Sequence, residues 1–401
     1  MRSTDIKFNG VGLYKSFSGR SVKLPVQLLT STNTSPKKLL MKKLILTLLV
    51  LNLFTVMAQQ FPRVDIPGSE VRKITSSIVV GQEYELHVLL PGGYATSTKK
   101  YPVVYLMDSQ WDFPVVKSIY GQQYFDGFIP EMIVVVVTWG GVNPNPDSLR
   151  ARDYTPSNEA RLPQSGGADR FLDFMKKELF PFVETNYKAE SGNRTLMGCS
   201  LGGLFTLYTL FTHTDMFTGY TAASPAVAWD KEVLYKYEKV FSEKKIVPPL
   251  RIYMTVGDVE RGRPVFEKFA KTMQDRKYTN VSLRSKVLEN TGHSGTKSET
   301  YSRGLQYVFE RAQLKFSNEE LKKYTGTYTA GSGYKIEIRS DGNQLQFYYT
   351  PENIFPLFAN TEKLFYATHE FFNLYFKLVG GKIEGFDLVR YGSTLTFNKT
   401  N

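Results

Sequence analysis

The strongest constraint on the fold is a run with no polar face. Ile133-Val134-Val135-Val136-Val137 is apolar at every position. A strand points successive side chains to opposite faces, so this run must be covered on both sides, as in a parallel sheet flanked by helices. Four other short, largely apolar runs also read as buried strands: Tyr84–Leu90, Val103–Met107, Arg194–Met197 and Arg251–Val256. Between them lie helical patterns. In Asp169–Tyr187, Phe171, Leu172, Met175, Leu179, Phe182 and Val183 recur at spacings of three and four, one face of a helix that Pro181 should kink or split. Leu201–Phe211 and Arg263–Lys277 are further helix candidates, with Pro264 suited to a first turn. Strands alternating with helices predict an α/β fold with a mainly parallel central sheet.

The texture changes near residue 315. Asn318–Tyr324 suits a short helix. Beyond it, short aromatic-rich runs (Tyr334–Arg339, Gln344–Tyr349, Leu374–Leu378, Ile383–Val389) are punctuated by glycine pairs, Gly392 and Asp341-Gly342, a hairpin signal. The expected domains are therefore an α/β domain over 59–315 and a small antiparallel β domain over 316–401. The Tyr and Phe content of the second suits a plain β core better than a sugar- or aromatic-binding face.

The net charge of +12 is misleading. Residues 1–58 hold nine Lys/Arg against Asp5, leaving +4 on the remainder from 41 bases and 37 acids. That removes the electrostatic case for nucleic-acid binding. The amino-terminal excess belongs to an address. Met41-Lys42-Lys43 precedes an apolar run from Leu44 to Met57, and Val56 and Ala58 fit the −3 and −1 positions of a cleavage site. This is the pattern of a signal peptide over 41–58 rather than of a membrane span of about 20 residues. Residues 1–40 read as an upstream extension, with translation starting at Met41. Export to a periplasm or beyond is expected, with no membrane insertion after cleavage. One cysteine, Cys199, allows no intrachain disulfide, and four histidines make no metal cluster; no metal or cofactor is implied.

The chemistry is concentrated in Gly198-Cys199-Ser200-Leu201-Gly202, placed where a strand run ends and a helical pattern begins. A nucleophilic serine needs such a turn to lift its hydroxyl clear of the sheet, with glycines two residues away on either side. Its general base must be a histidine. His87 lies in an upstream strand run, His213 behind the elbow helix, and His369 in the β domain. His293, in the loop Glu289–Gly295 after the strand candidate Val281–Leu288, follows Ser200 in chain order and is the expected base. The orienting acid should lie between them; Asp258 and Glu260, after the strand Arg251–Val256, both qualify. The oxyanion hole is expected from the amides of Leu201 and of Gln110, in the loop Asp108–Trp111 after Val103–Met107. Trp111, Phe113, Trp139 and Trp229 are placed on loops where a substrate pocket would open. Arg150 and Arg152 could hold an anionic substrate, although Arg152 with Asp153 reads better as a structural ion pair.

Several segments together resemble the Putative esterase family of α/β-hydrolases, which includes esterase D, siderophore esterases, feruloyl esterases and the antigen 85 mycolyltransferases. They are Tyr101–Asp108, Arg152–Pro156, Gly166–Leu172, Gly198–Gly203, Ser224-Pro225 with Trp229-Asp230, and Gly292-His293. The resemblance implies an α/β-hydrolase fold and a serine esterase acting on an acylated sugar, hydroxycinnamoyl or siderophore ester. Acyl transfer, peptidase activity and a non-catalytic binding role are the alternatives. It favours Glu260 over Asp258, since the family's acid commonly sits three residues past the strand-terminal glycine. It also shows one departure, Ser109 where the family has glycine. Residues 321–400 resemble the lipocalin-like β domains appended to exported bacterial hydrolases.

Overall fold

The structure, a computed structural model, describes residues 66–246, 248–368, 372–390 and 393–400, with 35–37, 40–45 and 47 nearer the amino terminus. The cleavage-site residues, most of the extension 1–40, His369 and Gly392 lie outside the described residues. Among the described residues no helix is long and apolar enough to cross a membrane. Residues Ile66–Asn401 form one compact unit.

Eight strands make the main sheet: β1 (Ser69–Thr75), β2 (Glu83–Leu89), β3 (Tyr101–Leu106), β4 (Ile133–Trp139), β5 (Ala189–Cys199), β6 (Gly219–Ala223), β7 (Leu250–Gly257) and β8 (Val281–Leu288). Their spatial order is β1-β2-β4-β3-β5-β6-β7-β8. β4 through β8 run parallel, and β1 and β2 add an antiparallel edge. The valine run sits in β4 as its composition requires. Ile133, Val135 and Val137 enter one apolar cluster, and Val134 and Val136 enter another on the opposite face. Burying each such side chain contributes about 1.5–3 kcal/mol, so this strand anchors both layers.

The helices are α1 (Ser109–Phe125), α2 (Pro146–Tyr154), α3 (Ala168–Phe174), α4 (Phe180–Asn186), α5 (Leu201–Thr212), α6 (Leu234–Ser242), α7 (Arg263–Arg276), α8 (Thr296–Val308) and α9 (Asn318–Lys322). The helical pattern over 169–187 does split. A π turn, Met175–Leu179, joins α3 to α4, and Pro181 opens α4, where its missing N–H costs least. Two expectations need correction. Residues 109–111 are not a loop: Asp108 takes a left-handed conformation (φ 61°) and turns the chain in one residue, so α1 begins at Ser109. Trp139 is not on a loop either. It closes β4, buried, and its indole N–H donates to Asp153 at 2.7 Å.

The carboxy-terminal strands are β9 (Gly326–Ala330), β10 (Lys335–Asp341), β11 (Gln344–Tyr348), β12 (Ile354–Ala359), β13 (Leu364–Tyr366), β14 (Asn373–Val379), β15 (Lys382–Arg390) and β16 (Ser393–Lys399). They form a closed antiparallel barrel in sequence order, sealed by β16 against β9. The Asp341-Gly342 signal is the β10–β11 hairpin, in register at Asp341 and Gln344. The barrel has an apolar core separate from those of the sheet.

Candidate active site

Every parallel strand from β5 to β8 ends on the same edge of the sheet, and the residues just beyond these ends supply the polar side chains of the site. β5 ends at Cys199, and Ser200 follows with φ 59° and ψ −115°. That strained conformation is the sharp turn a serine elbow requires. Gly198 permits it: a Cβ there would lie 2.5 Å from the backbone of Gly202. The Ser200 amide donates to Ala223 O at 3.0 Å, which pins the elbow to β6. Leu201 opens α5, so its amide is one of the unbonded N–H groups at a helix start.

β6 ends at Ala223, and Ser224 follows with φ 40°. Its hydroxyl donates to Glu260 Oε1 at 2.6 Å and lies 2.9 Å from Thr296 Oγ1. β7 ends at Gly257, whose amide donates to the same Glu260 oxygen at 2.7 Å. Gly257 has no room for a side chain, since a Cβ would meet Thr291 O at 2.0 Å. The second carboxylate oxygen, Oε2, lies 2.6 Å from His293 Nδ1. Burial disfavours the charge on Glu260, but the hydrogen bonds from Ser224, His293 and the Gly257 amide outweigh it and hold the carboxyl below its usual range. Thr296 Oγ1 also donates to His293 O at 2.8 Å, so the histidine loop is tied to the first turn of α8. His293 itself is half-exposed.

The structure thus separates the two candidate acids. Glu260 meets His293. Asp258 instead accepts from the amides of Asn290 and Thr291, both at 3.0 Å, and staples the histidine loop to the end of β7. Those amides draw its carboxyl below the usual range. Ser224 stands in a motif of the sequence that assigns it no task; its polar contacts appear only once β6 and β7 are adjacent.

On the other side of Ser200, Asp108 is buried and gripped by Arg150 through two bonds of 3.0 and 2.9 Å. Burial pushes its carboxyl up to about 6, against the pull of Arg150. Arg150 also reaches Cys199 O at 3.5 Å and lies 5.3 Å from the centre of the Trp111 ring. Lys297, bonded to buried Asp112, approaches the same ring at 5.9 Å. Trp111 is therefore a half-exposed ring with two cations within 6 Å of its centre, one of which also reaches the elbow. Gln110 accepts from Thr138 Oγ1 at 2.9 Å, which orients the residue whose amide is expected in the oxyanion hole. Cys199 is buried and its thiol is pushed up to about 12 by that burial.

The other expected pocket residues each have partners of their own, and the Arg152–Asp153 ion pair is formed as the sequence suggests. Arg152 spends its guanidinium on Asp153, Gln82 and the Tyr84 hydroxyl. Trp229 donates to Ser157 Oγ at 3.2 Å in a distorted turn over Trp229–Glu232. Phe113 is packed inside the α1 face of the core. Among the described residues no group of three or more His, Cys, Asp or Glu could hold a metal ion.

Comparison with known proteins agrees with this architecture. Residues 77–329 match the family described as Putative esterase. Ferri-bacillibactin esterase BesA of Bacillus subtilis is 33% identical over 213 residues, covering 49% of this chain and 72% of that protein. Siderophore triacetylfusarinine C esterase of Aspergillus fumigatus is 36% identical over 99 residues, 24% of this chain and 34% of that one. Among solved structures, the BES protein from Bacillus cereus superposes with a TM-score of 0.57 at 25% identity, covering 62% of this chain and 97% of that one. The chain belongs to the Putative esterase family of α/β-hydrolases and is a carboxylic ester hydrolase.

Proposed function

We propose that the chain hydrolyses siderophore esters through a Ser200–His293–Glu260 triad. The observation that carries the mechanism is the bond from His293 Nδ1 to a carboxylate held by two further donors, on the same sheet edge as a serine in a strained elbow. With Nδ1 committed to Glu260, Nε2 is the nitrogen that can take a proton. Ser200 attacks the ester carbonyl as His293 accepts the hydroxyl proton. The amides of Leu201 and Gln110 stabilise the oxyanion, at about 3 kcal/mol each. His293 then protonates the leaving alcohol, and water, deprotonated by the same nitrogen, releases the acid and restores Ser200.

Support for the substrate class comes from the similarity to a ferri-bacillibactin esterase over most of that protein's length. Trp111 with Arg150 and Lys297 near its ring offers an aromatic and cationic wall suited to an anionic aryl acyl group. The basic, then apolar segment 41–58 supports export, to a periplasm or beyond. The test is hydrolysis of a catecholate trilactone, of feruloyl sugars and of acetylated xylan, with chromatography of the products. The trilactone should give the highest kcat/KM, and Ser200→Ala should abolish turnover and labelling by a fluorophosphonate. A Ser200→Ala chain as active as the parent removes the mechanism; a preference for either sugar ester removes the substrate class.

A further inference from the structure

Strand β8 is an edge of the main sheet, and its side chains alternate as a strand requires. Val281, Leu283 and Val287 pack against the core, while Ser282, Arg284 and Lys286 stand exposed on the other face. Helix α8 lies mainly over β6 and β7. Gly304 lets it come close, since a Cβ there would meet Thr221 of β6 at 2.4 Å. β8 is thus left beside the helix. Tyr253, opposite Arg284 in the β7–β8 pair, and Tyr307 of α8 pack with ring centres 6.1 Å apart.

The facing wall comes from the barrel. Phe365 points into the barrel core, so its neighbour Tyr366 points outward. Arg311, between α8 and α9, lies 4.8 Å from the centre of the Tyr366 ring. Its guanidinium donates to Asn373 Oδ1 of β14 and, at 3.5 Å, to Gly127 O just past α1. Between these walls is a cleft of about 450 Å³. It lies outside the barrel interior and away from the Ser200 centre. Thr296, at the start of α8, bonds to His293 O, and a rise of 1.5 Å per residue puts Tyr307 about 16 Å further along the helix.

The charges of the cleft do not balance. Arg284, Lys286, Arg303 and Arg311 face one carboxylate, Glu310. Lys286 is paired with Glu299 at 2.7 Å, and Glu310 with Arg251 at 3.5 Å. The three lining guanidiniums have only neutral partners among the described residues. Arg303 donates to Gln306 Oε1 at 2.9 Å, Arg311 to the two oxygens above, and Arg284 lies over the Tyr307 ring at 4.4 Å. Stacking uses the flat face of a guanidinium and leaves its edge of N–H donors, the edge that matches carboxylate and phosphate. Burial pushes the Arg311 guanidinium down from its usual value, as expected of a cation with no counter-charge. A single negative charge would leave two of the three cations uncompensated, so an anion carrying two or more charges fits the cleft better.

We propose that the cleft between α8, β8 and the outer wall of the barrel is a binding site for a small multivalent oxyanion, a phosphate or a polycarboxylate, held by Arg284, Arg303 and Arg311. This assignment does not depend on which ester the hydrolase cleaves.

The test is isothermal titration calorimetry of the full chain with inorganic pyrophosphate and with citrate, and with acetate as the monovalent control, all at matched ionic strength. Expected is one saturable site that binds pyrophosphate or citrate at least tenfold more tightly than acetate. Tighter binding of pyrophosphate assigns a phosphate ligand, and tighter binding of citrate a polycarboxylate. Arg284→Gln and Arg303→Gln, both at exposed positions, should each weaken binding at least fivefold, while p-nitrophenyl butyrate hydrolysis and the melting temperature without ligand stay at the parent's values. Arg339→Gln, an exposed barrel arginine outside the cleft and paired with Glu337, should leave binding unchanged. Absence of saturable binding, affinity within twofold of the parent in both cleft variants, or an equal loss in Arg339→Gln overturns the site. Acetate binding as tightly as pyrophosphate and citrate overturns the ligand class.

Discussion

Replacing Glu260 by Gln keeps the shape of the side chain and removes one acceptor, and the surrounding donors decide how the site responds. In the parent, Oε1 accepts from Ser224 Oγ and the Gly257 amide, and Oε2 accepts from His293 Nδ1. Glutamine has one oxygen for these three donors. If the oxygen stays with Ser224 and Gly257, the NH2 group faces His293. The imidazole must then turn a lone pair at Nδ1 toward it and carry its proton on Nε2, which leaves no base for Ser200. If the amide flips, the Ser224 hydroxyl can rotate to accept, but the Gly257 N–H cannot and loses its partner at a cost of about 1–3 kcal/mol. The first arrangement therefore prevails. The wrong tautomer, with loss of the carboxylate that stabilises the imidazolium, should lower kcat roughly 10³- to 10⁴-fold, or about 4–5.5 kcal/mol in the barrier. Steady-state hydrolysis of p-nitrophenyl butyrate measures it, with thermal unfolding as a check that the fold survives. A Glu260→Gln chain within tenfold of the parent, or Asp258→Asn costing as much as Glu260→Gln, refutes the assignment of the acid.

Three further outcomes are expected from the same geometry. Gly198→Ala puts a methyl group 2.5 Å from the Gly202 backbone, so the elbow must open; loss of esterase activity and a fall in melting temperature are expected, and a fully active Gly198→Ala chain contradicts the packing of the elbow. Asp108 protonates near pH 6 in the folded chain, above its unfolded value of about 3.9. Between these values the folded state binds the proton more tightly, so this group's contribution to stability falls by about 3 kcal/mol as pH rises from about 4 to about 6. Across that range the difference in stability between the parent and Asp108→Asn, measured by urea unfolding, should change by that amount in the parent's disfavour. Cys199, buried with its thiol pushed up to about 12, should resist iodoacetamide at about pH 8 in the native chain and react once guanidinium unfolds it; rapid native alkylation contradicts its burial.

What the sequence made legible was whatever one strand or one turn decides locally. The all-apolar β4, the glycines about Ser200 and the Asp341-Gly342 hairpin each carry their conformation in adjacent residues. Helix α1 was not readable, because Pro114 sits inside it and the left-handed Asp108 that starts it has no local signal. The choice between Asp258 and Glu260 could not be made from spacing alone, since both follow the same strand end. It is decided by what arrives from elsewhere: the amides of Asn290 and Thr291 reach Asp258, while His293 and Ser224 reach Glu260. Barrel closure was likewise non-local, because it depends on β16 returning to β9.

The chain holds a second Ser–His–Glu arrangement, and comparing the two shows what makes such a set reactive. Ser109 Oγ lies 2.6 Å from His87 Nδ1, and His87 Nε2 lies 3.0 Å from Glu85 Oε1. The residue types and distances are those of a proton relay. Ser109, however, is the first residue of α1 and is only 2% exposed, so no carbonyl carbon can approach its oxygen. Ser200 instead sits in a strained turn, next to a helix start with free amides and less deeply buried. The Ser109 set is better explained as a brace. It ties the residue that replaces a family glycine to the β2 strand, and so fixes the first turn of α1, which carries Gln110. A side chain that would otherwise crowd the turn thereby helps hold the amide proposed to meet the oxyanion.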